Sequence, residues 1–108
     1  MAHEPAASTA EEYEFTAPLW RWEATTTAWF FVSLPEDVTD EIDARHGHAA
    51  AGFGSLPVEV TVGRTTWRTS IFPDTKRGCF VLPVKKAVRT KEGLDEGTPA
   101  TVTLTVRV

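Results

Sequence analysis

Four stretches of the chain alternate apolar and polar residues at period two, and each predicts a β-strand. Tyr13, Phe15, Ala17 and Leu19 share one face over residues 13–24. Pro18 restricts that strand to an edge or a bulge, because a proline has no N–H for the ladder. Val58, Val60 and Val62 alternate before Gly63-Arg64, and Thr65, Trp67, Thr69 and Ile71 alternate after it. That pattern predicts a β-hairpin around a two-residue turn. Val102, Leu104, Val106 and Val108 mark a closing strand over residues 100–108. Two more runs, AWFFVSL at 28–34 and CFVLPV at 79–84, are apolar on both faces and predict strands covered on both sides. Residues 25–27 are of hairpin length, and PDTKRG reads as a turn.

Two segments leave this alternation. PEDVTDEIDARHG predicts a short helix with Pro35 and acidic residues at its start, Val38 and Ile42 one turn apart, and Gly47 placed to take a left-handed cap. KKAVRTKEG predicts a helix of one to two turns that ends at Gly93. Six regularly spaced short strands with two short helices predict a mainly β fold, a small antiparallel barrel. Residues 1–12 carry no apolar face to dock, so a disordered or loosely held tail is expected there, with residues 13–108 as one barrel domain.

Composition narrows the class without naming a function. A chain of 108 residues, 42% hydrophobic and 24% charged, is the material of one globular domain. No apolar run approaches the roughly 20 residues of a membrane helix. MAHEPAASTAEE has neither the basic nor the apolar region of a secretory signal, and Cys79 alone builds no disulfide framework. The expectation is a monomeric, cytoplasmic protein of bacterial type with no membrane partner.

The net charge of −4 is unevenly spread. Residues 64–91 hold eight Lys and Arg against Asp74 alone, whereas Glu36, Asp37, Asp40, Glu41 and Asp43 surround only Arg45. A basic half therefore faces an acidic one.

Candidate chemistry is sparse. Lys85 and Arg89 are four apart on the second helix, with Lys86 beside them, and could grip a phosphate or carboxylate or merely form a solvated basic face. Trp20, Trp29 and Trp67 could line a cleft for a ring or an aliphatic chain; the competing reading is barrel core, and Trp29 is assigned to it. Arg68 points opposite to Trp67 and either joins the basic surface or pairs with Glu59 across the hairpin. His46 and His48 lack a third ligand, so no metal site is expected. Cys79, at the head of an apolar strand, is expected to be a small buried thiol. GFGS lacks the spacing of a nucleotide cradle and reads as a loop crossing the barrel mouth. No carboxylate pair or nucleophile–base set survives the strand map, so no enzyme and no cofactor is expected.

Two resemblances extend this reading. WFFVSLP before the first helix, GFGSLPVEVTVG, WRTSIFP and GCFVLPVKKAVR resemble the family called domain of unknown function 1905, from Phe15 to Leu104. The resemblance implies a small double-split (pseudo) β-barrel and no established activity. Longer relatives join this domain to a C-terminal module of the OmpD-associated, bacteriocin-protection type, and the stand-alone form is expected here. FVLPVKKAVRTKEGLDEGTPATVTL also resembles the split hairpin of AbrB- and MazE-type regulators. Gly93 and Gly97 are kept, but Glu92 stands in place of a docking leucine and Thr98 in place of an aspartate.

The functional expectation is a binding module that engages a small anionic or amphipathic ligand, or a peptide, between aromatic strands and the basic helix. Its candidate residues are Trp20, Trp67, Arg68, Lys85 and Arg89. A nucleic-acid-binding regulator, using residues 64–91 as its face, is the alternative, and a purely structural domain is the third. What separates the first two is whether the basic residues ring a pocket or share an open surface.

Overall fold

The computed structural model describes residues 12–23, 28–50 and 54–107. Six strands, β1 (Glu12–Glu23), β2 (Ala28–Ser33), β3 (Leu56–Val62), β4 (Thr65–Asp74), β5 (Cys79–Pro83) and β6 (Pro99–Val106), close into a barrel in the order β1-β2-β5-β4-β3-β6. All pairs are antiparallel. Helix α1 (Glu36–His46) follows β2, and helix α2 (Lys86–Glu92) follows β5. The expected barrel of six strands and two helices is the one found. Of the predicted tail, residues 1–11 lie outside the described residues, while Glu12 already pairs with Thr105. The expected 25–27 link and Val108 also lie outside them.

The two longest strands organise the rest. β1 pairs with β6 over Glu12 to Pro18 and with β2 over Leu19 to Glu23. β4 pairs with β3 over Thr65 to Ile71 and with β5 over Phe72 to Asp74. One sheet thus contains β6 and β3, the other β2 and β5, and both share β1 and β4. Pro18 is at the switch between partners, opposite Pro99, so its missing N–H falls where no ladder bond is required.

Alternation sets what faces inward. Leu19, Val32 and Leu82 share one row, as do Val62 and Val102, and Val60, Leu104 and Trp67, all buried. The outer face around β6 and β3 is polar, with Thr16 and Thr101 hydrogen-bonded at 2.9 Å and Thr61 and Thr66 at 2.8 Å. The outer face of the β2–β5 sheet is aromatic instead, and among the described residues β2 lacks the cover its apolar sequence predicts. Trp29 is 50% exposed, which corrects its assignment to the core. Val32 must face inward between Leu19 and Leu82, and that parity turns Trp29 and Phe31 outward.

The helices close the barrel ends. Ile42 of α1 is fully buried, and Thr39 Oγ1 accepts a hydrogen bond from the Phe80 N–H. Gly47 corrects the expected left-handed cap: its φ is −55°, and the chain continues into a 3-10 turn, Gly47–Ala49. A Cβ there would lie 2.8 Å from Oδ1 of the exposed Asp43, a contact that a shift of that side chain relieves. Gly93 does take the left-handed cap at φ 65°, and Val84 and Val88 press α2 onto the core.

Glu92 holds the far end of α2, the position where a docking leucine was wanting. Its Oε2 accepts from Thr65 Oγ1 at 2.6 Å and from the Arg64 N–H at 3.3 Å, across the β3–β4 turn. Gly63 at φ 59° supplies the left-handed residue of that turn, and a Cβ there would collide with the Glu92 carboxylate. Glu92→Ala should therefore cost about 1–2 kcal/mol, the worth of a charge-assisted pair at a half-buried site. A urea melt should show the midpoint falling with an unchanged slope.

Candidate functional site

The site originates in one proline. The two-residue turn makes Val62–Thr65 a pair whose peptide groups face each other, and every second pair along the hairpin repeats this, to Leu56–Ile71. Pro57, opposite Ser70, falls on the intervening kind, where its missing N–H costs the hairpin nothing. The peptide groups of Thr66, Arg68, Ser70 and Phe72 therefore face the β5 side. Phe72 meets Val81 there, but the position that would meet Ser70 is Pro83, which has no N–H. Pairing ends at that point. The Val84 N–H, on the other side of β5, continues the β2 ladder to the Phe30 carbonyl at 2.9 Å, and the chain then leaves β4 to enter α2.

A split results between β2 and β4, and it forms a cleft of about 460 Å³. Its apolar walls are Trp29 and Phe72, with the mostly buried Trp67 between them. Arg68, Lys85, Lys86 and Arg89 line the same cleft. Lys85 and Lys86 are exposed and have no ion-pair partner among the described residues. Lys85 does not belong to α2 but caps it in extended conformation; its carbonyl accepts from the Arg89 N–H, which keeps the two on one side. The Arg89 guanidinium lies 3.9 Å above the Phe30 ring, and its buried Nε has no hydrogen-bond partner among the described residues. Arg68 pairs loosely with Glu59, at 3.7 Å, as one of its two readings expected.

Of the five candidate residues, Trp67, Arg68, Lys85 and Arg89 come together, and Trp20 does not. Trp20 points outward from β1 onto the aromatic face, where its Nε1–H donates to Ser33 Oγ at 2.9 Å. Its ring lies 5.0 Å from Phe31 and 3.6 Å from the Arg77 guanidinium. Asp74 holds that guanidinium at 3.5 Å. Phe72 and Phe30 are cleft residues that the sequence reading passed over. Phe72 was legible, since it shares the outward parity of Arg68, but Phe30 takes its role only from the return of α2.

The remaining candidates lie elsewhere. Cys79 is half-buried, a correction to the buried thiol expected, because it borders a second cleft with Asp40 and Asp43 of α1. His46 is half-buried at the end of α1, and His48 is exposed on the 3-10 turn. No helix among the described residues is long and apolar enough to cross a membrane.

The family model described as Domain of unknown function (DUF1905) matches residues 15–104, which include every strand and both helices in whole or in part. No curated protein matches the chain.

Proposed function

The chain belongs to the DUF1905 family, and from that starting point we propose that its barrel is a binding module whose ligand is anionic and amphipathic, held in the split between β2 and β4. The observation that carries this reading is the meeting of four cations with Trp29, Trp67 and Phe72 in one cleft. Aromatic walls supply contact area at little loss of side-chain entropy, and the ammonium and guanidinium groups fix an anion at one end. This arrangement favours a pocket over a duplex-binding face. Arg77, a member of the same basic run, is occupied on the outer face by Asp74 and Trp20.

A matched pair of probes tests the reading. 2-Naphthoate and 2-naphthylmethylamine share a ring and differ in the sign of their charge. Naphthoate should shift the indole N–H resonances of Trp29 and Trp67, and the amine should bind at least about tenfold more weakly, close to 1.4 kcal/mol. Lys85→Ala with Lys86→Ala should remove that preference and leave the melting temperature nearly unchanged, since both side chains are exposed. Equal binding of the two probes, or none of either, would overturn the proposal.

A further inference from the structure

We infer that the ligand is an extended acidic peptide that adds to β4 as a strand; this deepens the cleft reading and rests on it. β-Augmentation requires an unpaired strand edge with room beside it. Among the described residues, the peptide groups of Thr66 and Arg68 that face away from β3 have no strand partner, because β4–β5 pairing ends at Phe72–Val81. Residues 67–69 of β4 line the cleft, so its bank includes the open peptide group of Arg68.

Among the described residues, the opposite bank forms no ladder with that edge. The Val84 N–H continues the ladder to Phe30, and the chain then turns into α2, whose hydrogen bonds to the β3–β4 hairpin are those of Glu92 at the turn. A strand laid along β4 would continue the track that β5 abandons at Pro83. Its alternate side chains would project toward the outer aromatic face, where Trp29 and Phe72 are 50% and 42% exposed. The charge of the bank selects the partner: Arg68, Lys85, Lys86 and Arg89 are complementary to carboxylates and would repel a basic segment. An open peptide edge also favours a polypeptide over a nucleic acid, since only a polypeptide offers N–H and C=O groups at the matching spacing.

The experiment uses the full chain and a random heptapeptide library with free C-termini, followed by fluorescence polarisation of the recovered peptides. Acidic residues alternating with apolar ones should be recovered. N-methylation of alternate amides should weaken binding at least about tenfold, and methylation of the intervening amides by no more than about twofold, as expected when only every second amide faces β4. Loss of binding on C-terminal amidation would identify the anion as the terminal carboxylate, and retention would assign it to Asp or Glu side chains; each agrees with the inference. Recovery of basic or neutral peptides, or insensitivity to N-methylation at every position, would overturn it. So would oligo-dT that displaces every peptide. If naphthoate binds and no peptide is recovered, strand addition falls and the cleft reading stands. If neither binds, both fall.

Discussion

Val88→Asp is expected to leave the barrel largely unfolded. Val88 is 2% exposed and, with Val84, forms the apolar underside of α2. An aspartate there loses the valine's burial and brings a carboxylate among apolar side chains with no partner, a combined cost on the order of 4 kcal/mol or more. Small domains have only about 5–15 kcal/mol in total. Ala87→Asp, on the exposed side of the same helix, is the control and should cost less than about 1 kcal/mol. Circular dichroism should show strand signal lost in the first variant and kept in the second. A Val88→Asp protein with a native melt would mean that α2 does not seal the barrel.

Trp67→Ala is expected to cost about 3–5 kcal/mol, the usual range for a buried aromatic replaced by alanine. Its ring is 8% exposed, belongs to the core and stands opposite Val60 on the hairpin. Trp29→Ala should cost less than about 1 kcal/mol, since half of its surface is in water and its partner is the Phe31 ring, stacked at 6.4 Å. Urea melts of the two variants decide the matter. Equal costs would contradict the inward and outward assignments of β4 and β2.

That contrast marks the limit of what alternation reveals. In the β3–β4 hairpin each apolar residue has a polar neighbour, so Trp67 inward and Arg68 outward follow from the string itself. AWFFVS is apolar from Ala28 to Val32 and alternates nowhere in that run, so its local pattern sets no parity. Its true parity comes from Leu19 and Leu82, far away in the chain, which hold Val32 between them. Gly47 shows the same limit at shorter range: a glycine after a helix signals a left-handed cap, but here the backbone stays right-handed and runs on into a 3-10 turn. The cleft was half legible. Lys85 and Arg89 announce their common side by spacing, whereas the bank opposite them depends on which ladder Pro83 interrupts, and that is settled only by the register of β4 and β5.

The sharing of β1 and β4 between the two sheets bears on how the domain comes apart. In β1, Phe15 serves the core in one sheet and Leu19 in the other, while β4 carries the core residues Trp67 and Ile71 beside β3 and reaches the second sheet through Phe72 to Asp74. Removing either sheet would strip the other of a flank, so neither is a self-standing foldon. The split at Pro83 is a gap in hydrogen bonding and not a boundary between subdomains. A partner that fills it would be felt as added global stability, through linkage, even in strands it never touches.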